Sequence, residues 1–279
     1  MMSLQLPPFD PRITFSLQVL DAADGRVLVS HAPDTVCETA SVGKVFLLIE
    51  VARRLVEGEL APDQRIEIPE EHRVADSGLL YRMLDQRLTV WDAALLVGAV
   101  SDNLATNALI ALCGLEVVQG MAPFLGYTDT SLLDYIRDER TEDMPWTPSF
   151  GTGSELSDLM RRLGAGEILS PEISAQVMEW LAADTDTSML ADSFLLDPLA
   201  HVEPEYQGMV LRHKTGSTSV ARIDVGHVSG PAGAVAYAVA ANWKGASEDL
   251  RAPAVDAMRA IGEQIRAYVT GAERAEAPW

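Results

Sequence analysis

Residues 209–241 read MVLRHKTGSTSVARIDVGHVSGPAGAVAYAVAA. Within this stretch Met209–Arg212, Ile223–Val228 and Val235–Ala241 are short apolar runs separated by Gly-containing turns, a pattern that predicts three strands. Two more strand-like runs lie near the other end of the chain. Phe15–Leu20 alternates and ends at Asp21, and Arg26–His31 resumes after Asp24-Gly25, so the pair reads as a β-hairpin. Between hairpin and strands the apolar period changes from two to about 3.6. From Ser41 onward Val45, Leu48, Ile49, Ala52 and Leu55 recur at helical spacing up to Gly58. Further helices are expected near 89–100, 103–112, 115–124, 154–163 and 171–182, and a closing amphipathic helix from Ser247 to Val269.

The order of strands, helices, strands and a closing helix favours an α+β chain. The hairpin pairs with the late strands in one antiparallel sheet, and the helices form an inserted lobe. The expected division is a discontinuous sheet domain, 1–40 with 184–279, and a helical domain, 41–183. The stretch 125–153 lacks periodicity, and a loop of that length in a compact domain is usually functional.

Composition excludes several classes. A net charge of −20 leaves no basic surface for a phosphate backbone, so no nucleic-acid partner is expected. No run approaches eighteen apolar residues, so no membrane span is expected. Pro7, Pro8 and Asp10 interrupt the region where a signal peptide needs an apolar run. A cytoplasmic location is therefore expected, or a secreted or periplasmic one if a leader has been removed. Cys37 and Cys113 are too few for a disulfide framework and read as buried, reduced thiols. The five histidines show no metal spacing, and no metal or organic cofactor is called for.

Three short motifs carry the chemistry: Ser41-Val42-Gly43-Lys44, Ser101-Asp102-Asn103 and Lys214-Thr215-Gly216. Two of the chain's three lysines fall inside them, and the chance of all three arising in this order is below about one in 10⁵. Ser41 opens a helix, where backbone N–H groups favour developing negative charge. Lys44 projects one turn further along the same face. A serine hydroxyl needs a neighbouring base, and a lysine becomes one only when desolvation or a nearby cation lowers its pKa. Val45-Phe46-Leu47-Leu48-Ile49 after Lys44 implies burial, Lys214 on a facing strand supplies a cation, and Ser101 between them can relay a proton. The plainer readings are a Ser41 N-cap, an Asp102 cap before the helix at Asn103, and a solvent-facing His213.

In this order the motifs resemble those of class A β-lactamases and penicillin-binding proteins, over about 31–270. The sixty residues from Ser41 to Ser101 and the segment 166–183, GEILSPEISAQVMEWLAA, are similar to that family as well. The resemblance implies the β-lactamase/transpeptidase-like fold and a Ser41 acyl-enzyme formed with help from Lys44. Ser101 and Lys214 would serve the leaving group and the substrate carboxylate, Asn103 a ligand carbonyl. Ser41 and Ser217 N–H groups would form an oxyanion hole, with Thr215 and Arg222 holding the carboxylate and Gly216 leaving room for a ligand amide. The implied substrate is a small β-lactam or another carboxylate-bearing amide or ester.

One departure stands out. Residues 132–148 read LLDYIRDERTEDMPWTP, and the family's deacylating glutamate falls by register at Ile136 or Arg137. Glu139 is the nearest replacement, with Glu142 beyond it. Extra residues around Ser193–Gln207 are expected to reshape the edge of the site. The alternatives to a β-lactam hydrolase are a cytoplasmic amidase or esterase of the same fold, and a penicillin-binding sensor that acylates without turnover.

Overall fold

The computed structural model describes residues 4–200, 208–245 and 249–272. Its strands are β1 (Ile13–Asp21), β2 (Val27–His31), β3 (Cys37–Glu38), β4 (Arg65–Ile66), β5 (Leu88–Thr89), β6 (Ser131–Leu132), β7 (Ser149–Gly151), β8 (Val210–Ser217), β9 (Ala221–Gly230) and β10 (Gly233–Trp243). The helices are α1 (Lys44–Val56), α2 (Val90–Val100), α3 (Asn103–Cys113), α4 (Leu115–Phe124), α5 (Gly153–Gly164), α6 (Pro171–Leu181) and α7 (Arg251–Thr270).

The early hairpin and the late strands form one antiparallel sheet in the order β2-β1-β10-β9-β8. In β10 Val235, Tyr237, Val239 and Ala241 join one apolar cluster with α7, and Ala236, Ala238 and Ala240 join the other with the remaining helices. Strand alternation divides these residues between two faces, and packing decides which helices cover each. The three alanines are small enough for a helix to lie close, and α5 does so. Gly153 N–H donates to Ser16 Oγ at 2.9 Å, and Gln18 Nε2 donates to Ser157 Oγ at 3.1 Å. A Cβ on Gly153 would lie 2.8 Å from the Leu17 backbone. Gly153→Ala is accordingly expected to cost about 1–3 kcal/mol by overpacking, read as a Tm several degrees lower; an unchanged Tm would show that this seat yields.

Helix expectations agree with the structure to within a residue or two except at two starts: α1 begins at Lys44 after a 3₁₀ turn that holds Ser41, and the expected start of α7 at Ser247 lies outside the described residues. The three late strands run longer than their apolar cores, because ladder pairing continues through polar residues such as Lys214–Ser217. The long loop contains β6 and β7, which pair with each other, β7 also pairing with β3 just ahead of Ser41. Leu190–Phe194 forms a 3₁₀ turn against α7, with Ser193 Oγ donating to Arg259 O at 2.8 Å. The start of the stretch 193–207 therefore packs into the second core instead of shaping the edge of the site, and 201–207 lie outside the described residues. Both cysteines are free and buried, and burial pushes each thiol up to about 11.

Candidate active site

Ser41 sits on a 3₁₀ turn, Ala40–Gly43, that runs directly into α1. Neither helix start shows a side-chain cap, so the plain N-cap reading of Ser41 does not hold. The turn is locally strained, since Ala40 has φ +50°, a left-handed conformation that costs a residue with a Cβ on the order of 1–3 kcal/mol. Two contacts hold it. Ser149 Oγ donates to Ala40 O at 2.5 Å, and Gly216 of β8 lies so close that a Cβ there would be 2.5 Å from Thr39 O and 3.1 Å from Ser41 N. The glycine of the third motif is thus what lets β8 run alongside Ser41.

Lys44 is fully buried. Its Nζ donates to Ser101 O at 2.7 Å, Ser101 Oγ at 3.1 Å and Asn103 Oδ1 at 2.7 Å. Desolvation, and then the charge of Lys214, push its pKa well below the ordinary lysine value. Ser101 takes a left-handed conformation, φ +54°, at the end of α2 and turns the chain into α3. Asp102 caps α3 through Ala105 N–H at 2.9 Å and also accepts from the N–H groups of Leu79 and Leu80, each at 2.7 Å. The middle residue of Ser101-Asp102-Asn103 is structural, and its neighbours on either side reach Lys44.

Lys214 is buried on β8, facing the same side as Gly216. Its Nζ donates to Thr215 O at 3.0 Å and lies 3.5 Å from Asp184 Oδ2. Asp184 Oδ2 also accepts Thr215 N–H at 3.2 Å. On the opposite face, His213 is buried and not solvent-facing, with Nδ1 3.3 Å from Asp224 Oδ1, which also accepts Tyr237 OH at 3.0 Å. Desolvation opposes its protonation, but Asp184 and Asp224 together raise its pKa. Strand alternation separates His213 from Lys214, and the cover of the second core buries it.

A cleft of about 580 Å³ gathers Ser41, Ser101, Asn103 and Thr215–Ser217. Lys44 and Lys214 lie beneath its floor. Its other wall comes from the 132–148 loop, including Ile136 and Arg140. Asn107 clamps that wall: its Oδ1 accepts Ile136 N–H and its Nδ2 donates to Ile136 O, both at 2.8 Å. Asp134 closes the loop by accepting from Arg137 Nε at 2.9 Å and Arg140 Nη1 at 3.0 Å.

Two expected members are elsewhere. Glu139 is exposed and lines a neighbouring pocket with His72 and Met144, because the loop turns it away from Ser41. Arg222 pairs with Ser217 across the β8–β9 ladder, but its Nη1 donates to Thr218 O and Ala221 O at 2.5 and 2.6 Å. It is not among the residues lining the cleft. Conversely, sequence reasoning passed over Asp184, Asp186 and Glu38. Asp186 lines the cleft, and although burial pushes its pKa up, bonds from Ser188 and Thr215 bring it below the usual carboxylate range. Glu38 also lines it, with its pKa raised by burial. Two acids spaced by two after α6, and a lone one on β3, give no periodic signal, so only the packing picks them out.

Fold and cleft together define a hydrolase of the β-lactamase type, one that works through serine. The chain belongs to the Beta-lactamase enzyme family, whose model matches residues 10–269. Among solved structures it is similar to the β-lactamase from Sphaerobacter thermophilus DSM 20745, 26% identical over 94% of this chain and 93% of that one, with a TM-score of 0.79. PBP-A shares the fold at 20% identity, 94% and 98% coverage and a TM-score of 0.77. So does a variant of the class A β-lactamase of the last common ancestor of Gram-negative bacteria, at 24% identity, 90% and 93% coverage and a TM-score of 0.73. Among the described residues no single helix is long and apolar enough to cross a membrane.

Proposed function

We propose that the protein hydrolyses β-lactams or related carboxylate-bearing amides through a Ser41 ester. One observation carries this reading: Lys44, one turn from Ser41, is wholly buried, desolvated and bonded to both Ser101 and Asn103. A neutral Lys44 takes the Ser41 proton as Oγ attacks the carbonyl carbon. The oxyanion forms beside the Ser41 and Ser217 N–H groups. The proton then passes through Ser101 Oγ to the leaving nitrogen as the amide bond breaks. Lys214 and Thr215 face the substrate carboxylate, and the Asn103 amide stands beside the entering carbonyl. Hydrolysis of the ester is the slow step: Ile136 offers no proton acceptor at its place on the loop wall, and the one loop carboxylate lining the cleft, Asp138, is exposed to solvent.

A second reading, an amidase or esterase acting on a non-lactam substrate, draws support from two facts. Asp186 engages Thr215, and Arg222 is tied to carbonyls outside the cleft. Both weaken the hold on a substrate carboxylate.

The deciding experiment mixes the protein with a chromogenic cephalosporin and, separately, with a mass-labelled penicillin. The expected result is one label per chain, on the peptide containing Ser41, with slow release of colour. One label without turnover would point to a sensor. No label and no colour would remove β-lactams and leave the non-lactam reading.

A further inference from the structure

Arg212 stands apart from the other arginines. In a chain of net charge −20, most described arginines are tied to carboxylates or carbonyls, as Arg137 is to Asp134 and Arg162 to Leu125 O. Arg212 is half-buried, and its guanidinium has no hydrogen bond or ion pair among the described residues. Directly across the ladder from it is His227. Among the described residues the His227 ring likewise has no hydrogen-bond partner: Nδ1 is enclosed and unbonded, and no bond is made at Nε2. Desolvation, then the charge of Arg212, hold His227 at about 4, so it is neutral at neutral pH with one N–H to give.

Both side chains open into a groove of about 470 Å³ under α5 and α6, separate from the Ser41 cleft. Its walls are apolar, from Leu163, Pro171, Ala175 and Met178. Gly164 makes the space, since a Cβ there would lie 2.4 Å from the His227 ring. The helix end beside it is not a source of free negative carbonyls: Ala165, Gly166 and Glu167 N–H groups occupy the oxygens of Arg161, Leu163 and Arg162. Exposed Glu179 lies on the rim.

We propose that this groove binds a small monocarboxylate with an apolar tail. The carboxylate accepts from the Arg212 guanidinium and the His227 N–H, and the tail lies on the α5–α6 wall. An unpaired, half-desolvated guanidinium is costly to maintain without an anion. Glu179 on the rim disfavours ions of higher charge, such as phosphate.

The test follows the His227 ring resonances by NMR in the full-length protein during titration with benzoate, its neutral analogue benzamide, and inorganic phosphate. Benzoate is expected to move the His227 signals saturably, benzamide to leave them in place, and phosphate to bind more weakly than benzoate. Arg212→Gln should weaken benzoate by at least about tenfold, with Arg212→Lys between it and wild type. Benzoate seated only in the Ser41 cleft would leave His227 unmoved, which overturns the proposal. Equal responses to benzoate and benzamide, or an unchanged affinity in Arg212→Gln, overturn it too, and tighter phosphate binding overturns the choice of ligand. If Arg212→Gln does not fold, the wild-type comparison of benzoate with benzamide still decides.

Discussion

Lys44→Arg is expected to acylate about 10²–10⁴ times more slowly than wild type, the range that a general base supplies, and Ser41→Ala not at all. Arginine stays protonated at any working pH and can take no proton from Ser41. The wild-type lysine can, because desolvation and then Lys214 push its pKa well below the ordinary value. The sign with pH follows: the neutral amine is the reactive form, so acylation rises as pH rises through the depressed pKa. In Lys44→Arg that limb should vanish. The measurement is the acylation rate with a labelled penicillin across pH, alongside thermal melting, because Lys44 also links Ser101 to Asn103. A folded Lys44→Arg variant within a few-fold of wild type would leave Lys44 a purely structural role.

The second large effect is expected from Ile136→Glu, which should speed hydrolysis of the Ser41 ester by about 10²–10⁴. Ile136 is half-buried, lines the cleft that holds Ser41, and has its main chain fixed on both sides by Asn107. A carboxylate there has a defined backbone to project from, and it needs only to meet a water beside the ester within about 2.6–3.2 Å. Glu139→Gln in the same assay should leave the ester lifetime unchanged, since Glu139 faces a different pocket. Mass spectrometry of the ester over time reads both variants. An Ile136→Glu ester as long-lived as that of wild type would show that the loop wall does not reach the water, and a longer lifetime in Glu139→Gln would return that residue to the site.

The sequence by itself determined the five strands of the main sheet, the helices and their order, while the two- and three-residue strands β3 to β7 were too short to leave a period. The continuous apolar run Val235–Ala241 marked a strand buried on both faces, while which face meets α7 and which the other helices came from the structure. The chain order also marked Ser41, Lys44, Ser101 and Lys214 as one set, and burial of Lys44 followed from the apolar run behind it. Tertiary structure alone decided the rest. Asp184 meets Lys214 across thirty residues of chain, His213 is buried by the cover of the second core, and Arg222 spends its donors on nearby carbonyls. Glu139 lies nearest in sequence to the place of a deacylating base, yet the loop closed by Asp134 and Asn107 turns it outward and puts Ile136 on the wall. Periodicity is local and survives in a one-dimensional reading. The direction in which a loop residue or a cation finally points is set by contacts distant in sequence, and no local pattern encodes them.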